Sequence, residues 1–387
     1  MITLDSTKRV TTPEISAKQH AIANEWEQFV SSGKLSKDSL RPVIANSWLR
    51  SREIGINPLE ERARSVISAD EVEAKLHREH LGLSGKNVLD RMSQTVCDTG
   101  HVIVMADYSG RILYSVGHQQ VQNKLEEINF MPGSEWHEDV VGPNGVGTPI
   151  AVGHAELVLG SEHYCKGWQP WVCYGAPIQN PSNQTIMGCI DITGPASSVS
   201  VEAMALAISI AQTIETNLSL IQLKKREKLR NAFNDIKIKY SNDALLVIDD
   251  CGYIIDINSR ACSLLDLSSP ILLKIPVHMV FPDLWNIVMK QQNTDREYHY
   301  ELELKNNLVN HVNCRMVPVK FDHSNAGTII HITSGKIINK FDKKSLRSYE
   351  DELIKLTLDK AGGNISKAAK ILNIDRSTIY RKMKKWY

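Results

Sequence analysis

The sequence lacks most of the patterns that mark enzymes, secreted proteins and membrane proteins. Its seven cysteines include no C-x-x-C pair and no regular spacing, which argues against a disulfide framework and against a zinc site. No G-x-x-x-x-G-K-[S/T] loop occurs, so ATP hydrolysis through a phosphate-binding loop is not predicted. The uncharged apolar run at 203–214 is too short to cross a bilayer, and the first residues form no apolar signal segment. We therefore predict a cytoplasmic protein that is not an enzyme and uses no cofactor, metal or membrane.

The length and composition predict ordinary globular domains. At 387 residues the chain has room for about two to four of them. Hydrophobic residues make up 42% of the sequence and charged residues 23%, so cores of normal size can form. Strand and helix patterns along the chain predict a multidomain α+β fold, which ends in an all-α module.

The final segment, 348–387, divides into three short helical patterns. The first helix is predicted to stop at Gly362-Gly363, because glycine permits the left-handed conformation that closes a helix. Either Asn364 or Ser366 can cap the second helix, and Asp375 is placed to cap the third. The segment therefore predicts three short helices that pack on one another.

The third helical pattern, from Arg376 to about Trp386, separates its side chains by the helical period. One side is apolar, with Ile379, Met383 and Trp386. The other side carries cationic and hydroxyl groups, namely Arg376, Ser377, Tyr380, Arg381 and Lys384. Such a helix can pack on its partners and enter the DNA major groove, so we predict a helix-turn-helix.

Positive charge is concentrated in the same module. Residues 336–387 contain fourteen Lys and Arg against six Asp and Glu, a net charge of +8, whereas the whole chain carries +1. A solvated helical bundle or a protein-docking tail would show the same periodicity, but this charge distribution favours phosphate binding. The predicted DNA-binding residues are Asn364, Ser366, Lys367, Arg376, Ser377, Thr378, Tyr380, Arg381, Lys384 and Lys385.

The stretch GGNISKAAKILNIDRSTIYRKMKKW, at 362–386, resembles the Fis-type helix-turn-helix that ends bacterial enhancer-binding regulators. It departs from the family at Asn373, where glycine is usual. Asparagine tolerates the left-handed conformation, so the turn should be kept. The resemblance implies sequence-specific binding of double-stranded DNA at a palindromic operator, with RNA polymerase as a candidate partner.

The beginning of the chain, 1–85, predicts a helical region. Two apolar stripes recur there at helical spacing and predict buried faces: Trp26, Phe29 and Val30; Ile44, Trp48 and Leu49. From about Thr95 the pattern changes to strands. HVIVMADYSGRILYSV predicts a hairpin that turns at 107–110, WQPWVCYGAPI and IMGCIDITG predict two further strands, and a helix is predicted from about Val146. Strands flanked by helices predict an α+β sensor domain over 86–200.

Three stretches of this region, NGVGTPIAVG, SEHYCKGWQPWVCYGAPIQNP and IMGCIDITGP, resemble the GAF domain of regulators of acetoin and of glycerol or dihydroxyacetone metabolism. RPVIANSWLRS resembles the segment that opens those regulators. The sequence departs from the GAF pattern where Tyr174-Gly175 replaces two small residues. The resemblance implies a small-molecule metabolite as effector.

A mostly apolar pocket with a few polar groups would suit such a metabolite. The candidate ligand-binding residues are Trp136, Thr148, His163, Cys165, Trp171 and Cys173. The alternative is that these are core residues with satisfied hydrogen bonds, which is the commoner role of buried Trp, Cys and His. A haem or iron site through His163 and Cys165 is disfavoured.

A long amphipathic helix is predicted over 201–240, where Leu206, Ile210, Ile214, Leu218 and Ile221 recur every three or four residues. It either covers the sensor core or pairs with its copy in a homodimer, and pairing is favoured. DALLVIDDCGYIIDINSRACSLLDLS and later strands at 298–304, 311–319 and 327–332 predict a second sensor over 241–333. This order resembles a PAS domain, whose D/N-x-x-A positions match Asn258 and Ala261.

A linker at 334–345 then joins the second sensor to the helix-turn-helix at 346–387. Regulators of the resembled type carry an AAA+ ATPase at this place, with a GAFTGA loop that engages sigma-54. Neither that loop nor a phosphate-binding loop occurs here. The expected protein is a ligand-responsive regulator that acts by occupying DNA, without remodelling a sigma-54 polymerase. The alternative is an accessory protein that hetero-oligomerises with a full-length AAA+ regulator and modulates it.

Overall fold

Two five-stranded antiparallel sheets organise the computed structural model of this chain. Contacts within the chain separate two units, Met1–Leu220 and Ile221–Tyr387. The structure describes residues 12–36, 40–64, 67–78, 80–265, 276–290, 297–303, 311–322, 324–334, 351, 353–355, 357–358 and 361–383. Most of the predicted linker at 334–345 lies outside these residues, and the predicted domain boundaries stay predictions.

The first sheet is preceded by helices α1 (Thr12–Ser32), α2 (Pro42–Ile54), α3 (Ala69–Arg78) and α4 (His80–Asp98). Helix α2 starts on a proline, which has no amide hydrogen to leave unpaired, and closes at Gly55 in the left-handed conformation. The predicted burial of Trp26, Phe29, Ile44 and Trp48 is confirmed.

The predicted burial of Leu49 was wrong. Its side chain is 49% exposed, because α2 buries the face formed by Ile44, Ser47, Trp48 and Ser51. One residue further along a helix turns the side chain by about 100°, so Leu49 leaves the face that Trp48 occupies.

The first sheet has the strand order β2-β1-β5-β4-β3. Its strands are β1 (Val102–Asp107), β2 (Ile112–Gly117), β3 (Glu156–Leu159), β4 (Trp171–Gln179) and β5 (Ile186–Pro195). The connections contain the short helices α5 (Gln119–Glu127), α6 (Glu138–Val141) and α7 (Gly147–Val152). The predicted hairpin forms between β1 and β2, and both later predicted strands form as β4 and β5.

Alternate residues of these strands enter two different cores. Cys173 and Cys189 pack on the face covered by residues of α1 and α2. Tyr174 and Ile190 pack on the opposite face with residues of α4. This is the period of two expected of β-strands, whose successive side chains point to opposite faces of the sheet.

Helix α8 (Val201–Lys239) follows the first sheet. Within the first unit, Ile210 and Ile214 belong to the core. Within the second unit, Leu229 and Phe233 are fully buried against the second sheet. By length and composition alone α8 could cross a membrane, a weak sign that the core helices of soluble proteins also give.

The second sheet has the order β7-β6-β10-β9-β8, so its strands follow the same spatial sequence as those of the first sheet. They are β6 (Ala244–Asp249), β7 (Ile254–Ile257), β8 (Tyr298–Glu303), β9 (His311–Phe321) and β10 (Ser324–Ser334), with helices α9 (Ser259–Leu264), α10 (Val277–Val280) and α11 (Pro282–Lys290). The Asn258 side chain caps α9 by accepting a hydrogen bond from the Ala261 amide at 2.9 Å. This hydrogen bond explains why the asparagine and the alanine of the D/N-x-x-A pattern stand three residues apart.

Candidate DNA interface and sensor cluster

The last two described helices are α12 (Ile365–Leu372) and α13 (Arg376–Met383). Asn364 sets the start of α12, and Asn373 forms the turn between the two helices. The Asn364 side chain accepts a hydrogen bond from the Lys367 amide at 3.0 Å, so Asn364, and not Ser366, caps α12. Asn373 adopts the left-handed conformation, with φ 52° and ψ 45°. Asparagine therefore fills the position where glycine is usual, as predicted.

The inner face of α13 is apolar. Ile379 is fully buried in a core with Ala368 and Ala369 of α12, and Met383 packs against the same core. The two alanines are small enough to let α13 approach closely. The Asp375 carboxylate accepts a hydrogen bond from the Ser377 amide at 2.8 Å, which stabilises the start of α13. Trp386 lies outside the described residues.

The outer face of α13 presents the predicted DNA-binding groups to solvent. Arg376, Ser377, Tyr380 and Arg381 are exposed, and Thr378 is half-buried. The start of α12 adds three exposed residues, Asn364, Ser366 and Lys367. Lys384 and Lys385 lie outside the described residues. The arrangement is an exposed cationic surface on a rigid helix.

Lys382 is largely buried and ion-paired, whereas the neighbouring Arg381 is exposed to solvent. Its ammonium lies 2.9 Å from a carboxylate oxygen of Asp351, and its side chain is only 15% exposed. This ion pair ties α13 to the preceding helical residues. Lys382 lies three residues after the buried Ile379, so the helical period already separates it from the exposed Arg381. Its partner Asp351 had no signal in the sequence.

In the first unit, α2 docks on the segment that follows β3. Arg41 pairs with Glu156 at 2.6 Å and with Glu162 at 3.0 Å. The indole N–H of Trp48 donates to the carbonyl oxygen of Glu162 at 2.7 Å. In the same way the indole of Trp26, in α1, donates to the carbonyl oxygen of Tyr164 at 2.7 Å. The stretches RPVIANSWLRS and SEHYCKGWQPWVCYGAPIQNP, singled out in the sequence, are therefore in direct contact.

Several predicted ligand-binding residues have protein partners. Trp136 donates to the Ser134 hydroxyl at 3.1 Å, and its ring lies 4.6 Å from that of Trp168. The Thr148 hydroxyl accepts from the Asn144 amide at 3.0 Å. Cys165 and Trp171 are also buried. These contacts are those of core residues, the alternative stated for them above, and their role in ligand binding stays a prediction.

Two other candidates, His163 and Cys173, belong to a buried polar cluster that we call the sensor cluster, formed by His163, Cys173, Asp191 and Thr193. The His163 Nδ1 atom lies 2.9 Å from the carbonyl oxygen of Gly160. A carbonyl oxygen only accepts, so Nδ1 carries the hydrogen and Nε2 is an acceptor. The Cys173 Sγ atom lies 3.6 Å from this Nε2.

The same thiol connects to the last strand of the sheet. The Thr193 hydroxyl lies 3.3 Å from Cys173 Sγ and donates to Asp191 Oδ2. The other carboxyl oxygen of Asp191, Oδ1, has no hydrogen-bond partner within the part of the chain that the structure describes. Sequence reasoning missed Asp191 and Thr193, although a carboxylate in an otherwise apolar strand was the available signal.

Burial sets the protonation of the sensor cluster. It lowers the pKa of His163 to about 4, so the imidazole is neutral near pH 7. It raises the pKa of Asp191 to about 7, against the interactions with the Thr193 hydroxyl and the Tyr174 backbone, which favour the charged form. Burial also raises the pKa of the Cys173 thiol well above its usual value. The cluster therefore contains no cation.

A second group of polar residues lies in the turn between β6 and β7. Asp249, Asp250 and Cys251 place their ligand atoms within 4.8 Å of one another, close enough to hold a metal ion. However, the Lys225 ammonium lies 2.5 Å from Asp250, and the Arg226 guanidinium lies 3.0 Å from Asp249. Cationic side chains of α8 thus pair with both carboxylates. We interpret these ion pairs as contacts that hold the helix against the turn, and not as a site for a metal cation.

Comparisons with known proteins match both ends of the described chain. The family described as "MimR, N-terminal domain" matches residues 19–216, and the "Bacterial regulatory protein, Fis family" matches residues 345–386. An uncharacterized 47.3 kDa protein of Rhodococcus erythropolis is 32% identical over 185 residues, which cover 48% of this chain and 42% of that protein.

Two named activators are also similar. The acetoin dehydrogenase operon transcriptional activator AcoR of Bacillus subtilis is 28% identical over 54% of this chain and 35% of its own length. The propane 2-monooxygenase operon transcriptional activator MimR of Mycolicibacterium smegmatis is 28% identical over 58% of this chain and 38% of its own length. The chain thus spans about two fifths of the length of these curated relatives.

Proposed function

The chain belongs to the family defined by the MimR N-terminal domain, and from this premise we propose that it is a ligand-responsive bacterial regulator that binds double-stranded DNA through α12 and α13. The observation that carries this proposal is the exposed cationic face of α13, which lies opposite the buried Ile379 in a module that matches the Fis family. Helices of this kind bind the major groove and place their first residues at base edges.

The roles of individual residues follow from their chemistry. Arg376 and Arg381 contact bases or phosphates, since a guanidinium can bind guanine through two hydrogen bonds. Ser377, Thr378 and Tyr380 add polar contacts. The exposed start of α12, with Asn364, Ser366 and Lys367, is suited to phosphate oxygens because the first turn of a helix presents amide hydrogens. Lys384 and Lys385 are proposed to hold the DNA backbone.

The regulator is proposed to act as a homodimer on a palindromic operator. Leu220 and Leu223 of α8 are 52% and 63% exposed, an apolar surface that supports pairing with a second copy. Two recognition helices would then contact half-sites about one DNA turn apart, roughly 34 Å.

We assign the sensing function to the first sheet, as a GAF-like domain over 86–200, and a PAS-like role to 241–333. The common strand order of the two sheets supports this assignment. The effector is a small metabolite. The printed names of AcoR and MimR refer to operons for acetoin dehydrogenase and propane 2-monooxygenase, which supports an effector from the catabolism of small molecules.

The output is proposed to come from occupancy of the operator in the cytoplasm, through contact with RNA polymerase or by blocking it. The sequence between the second sheet and α12 has neither a phosphate-binding loop nor a GAFTGA loop. A second candidate function, an accessory subunit of a longer AAA+ relative, is supported by the greater length of the relatives that match.

Genome-wide mapping of bound DNA in the host, with the full chain and with residues 348–387 deleted, tests these proposals. Discrete palindromic peaks that disappear on deletion are expected for an autonomous regulator. Binding that occurs only beside a longer AAA+ relative, and only when that relative is present, would support the accessory function. A full chain that binds no DNA in either setting would contradict both.

A further inference from the structure

Lys382 is the least exposed cation described on α13. Its side chain is 15% exposed and its ammonium lies 2.9 Å from Oδ1 of Asp351, whereas Arg376 and Arg381 are exposed to solvent. Oδ1 is shielded from water and accepts no hydrogen bond from the residues that the structure describes. The ammonium compensates the charge of a carboxylate that is partly removed from water. Lys382 is therefore occupied by a contact inside the C-terminal module.

Asp351 lies on the inner side of the helical residues that precede α12. Asp351, Ile354 and Leu358 are all helical and stand at the spacing i, i+3, i+7, which places them on one face. Ile354 and Leu358 are buried in the same core as Ile379 of α13. The carboxylate is thus held at the edge of the core on which α13 packs.

The position of Lys382 on α13 determines what the ion pair holds. Each helical residue advances by about 100°, so Lys382 stands about 60° to one side of the buried Ile379 and Met383 about 40° to the other side. Tyr380 and Arg381 stand roughly 100° and 160° away from Ile379, on the outer face. A two-turn helix with one fully buried residue can turn about its own axis, and a tether beside that residue limits this rotation. The ion pair therefore fixes the direction in which Tyr380 and Arg381 point.

We infer that Lys382 is a positioning residue of the recognition helix, which makes no contact with DNA and sets the rotation of α13 through its ion pair with Asp351. This inference rests on the proposed DNA-binding function and assigns a role to two residues outside the proposed interface. Contacts to base edges require a defined geometry, whereas phosphate contacts carry no sequence information. Loss of the ion pair should thus weaken binding of specific sequences more than binding of random sequences.

Simple electrostatics makes the opposite prediction for Asp351, so the two explanations can be separated. The module carries fourteen Lys and Arg against six Asp and Glu over residues 336–387, and removal of one negative charge strengthens its attraction to any DNA. If Asp351 only opposed the phosphate charge, Asp351→Asn would tighten binding of specific and random duplexes alike. If Asp351 holds α13, the same change weakens specific binding and leaves random binding unchanged or tighter.

Titration of the full chain with two labelled duplexes tests the inference. One duplex is selected by the wild-type chain from randomised sequences, and the other is a random sequence of equal length. For Asp351→Asn we expect a Kd for the selected duplex that rises roughly fivefold to twentyfold, and a Kd for the random duplex that is unchanged or lower. Hydrogen exchange of the amides of α12 and α13 should show that the module of this variant is still folded.

The salt dependence of binding separates positioning from phosphate contact. Each phosphate contact contributes about 0.9 to the slope of log Kd against log salt concentration. Lys382→Met should raise the Kd for the selected duplex by a factor similar to that of Asp351→Asn, and should leave the slope for the random duplex unchanged. Arg381→Met is the matched control, because it removes the adjacent exposed cation, and it should lower this slope by about 0.9.

Three results would overturn the inference. The first is a slope for Lys382→Met that falls as much as that of Arg381→Met, which would make Lys382 a phosphate contact. The second is an unchanged or lower Kd of Asp351→Asn for the selected duplex, which would make Asp351 an opposing charge only. The third is weaker binding of both duplexes with faster exchange in the module, which would make the ion pair a contact for stability alone. A wild-type chain that selects no sequence would contradict the proposed function itself, and the inference with it.

Discussion

Arg41 and Glu162 are separated by 121 residues in sequence, yet the Nε atom of Arg41 lies 3.0 Å from Oε1 of Glu162. The same guanidinium lies 2.6 Å from Glu156. All three side chains are at most 13% exposed. Helix α2, which Arg41 directly precedes, is therefore anchored to the sheet that carries the sensor cluster. Glu162, the residue that Arg41 contacts, is next to His163 in sequence.

Replacing Arg41 with methionine should destabilise the first unit strongly. It would leave Glu162 buried without its cation and Glu156 with only His154 beside it at 3.2 Å, and removing one partner of a buried pair costs about 3 to 5 kcal/mol. Urea unfolding of the full chain measures this loss. The control is Arg62→Met, whose side chain is exposed and, among the described residues, donates to Asn129. This variant should change the free energy of unfolding by less than about 0.5 kcal/mol. Equal effects of the two variants would contradict the role given to Arg41.

Replacing Arg376 with alanine should weaken binding to a specific operator by about 1 to 3 kcal/mol and change the preferred base at one position. The guanidinium is exposed at the start of α13, where it can reach a base edge. Titration of labelled DNA at fixed salt concentration, together with selection from a randomised operator, measures both effects. Arg91→Ala removes an exposed cation of α4 and should leave the isotherm unchanged. An unchanged isotherm and preference for Arg376→Ala would remove this residue from the interface.

The sensor cluster should make stability depend on pH in two opposite ways. The pKa of His163 is about 4 in the folded chain, below the usual 6.5, so the unfolded chain binds the proton more tightly. His163 therefore contributes stability above pH 6.5 that is lost as the pH falls towards 4, up to roughly 3 kcal/mol. The pKa of Asp191 is about 7 in the folded chain, above its usual value. Its contribution is present at low pH and is lost as the pH rises towards 7.

Single substitutions should separate these two contributions. In Asp191→Leu, the free energy of unfolding should rise with pH between about 4 and 6.5, because His163 is then the member of the sensor cluster that titrates in this window. In His163→Gln, it should fall over the same window as Asp191 ionises. Urea unfolding at a series of pH values measures the slopes, and the wild-type chain should have a slope between the two. Slopes of the same sign in both variants would contradict the assignment.

The turn before α13 should tolerate glycine better than alanine. Asn373 has φ 52° and ψ 45°, a left-handed conformation that asparagine tolerates better than alanine because its short polar side chain can hydrogen-bond locally, so Asn373→Ala should cost about 1 kcal/mol. Asn373→Gly should be neutral or stabilising. Hydrogen exchange of the amides of α12 and α13 reports the stability of this module. Faster exchange in the glycine variant than in the alanine variant would contradict the importance of this conformation.

Local patterns predicted much of the fold. The helical period separated Ile379 from Arg376 and Arg381, and the turn residues located the hairpin between β1 and β2. Strand β3 was not predicted, because its four residues are too few to show an alternation. Leu49 was misplaced because an apolar residue next to a buried one does not reveal which face of the helix is covered.

Partners distant in sequence were beyond this kind of reasoning. The period of two placed Asp191 on the same side of β5 as Cys189. It could not show that His163 and Cys173 would come from other elements to meet Thr193. Likewise, nothing in the motif around Arg41 indicated that Glu162 would be its partner. A periodic pattern shows that a side chain is covered, and only the folded chain shows by what.

The strand order of the two sheets has a consequence for how the chain folds. In each sheet the strand in the middle, β5 or β10, is the last of the five to be synthesised. Before it appears, β1 with β2 and β3 with β4 are two separate ribbons with no backbone partner between them. Neither sheet can be completed until its final strand has been synthesised. The pairings of β1 with β5 and of β6 with β10 join distant parts of the chain, and such pairing is slow. A chain that stops before residue 186 lacks β5, the strand that pairs with both β1 and β4. The two ribbons of the first sheet then have no strand to join them.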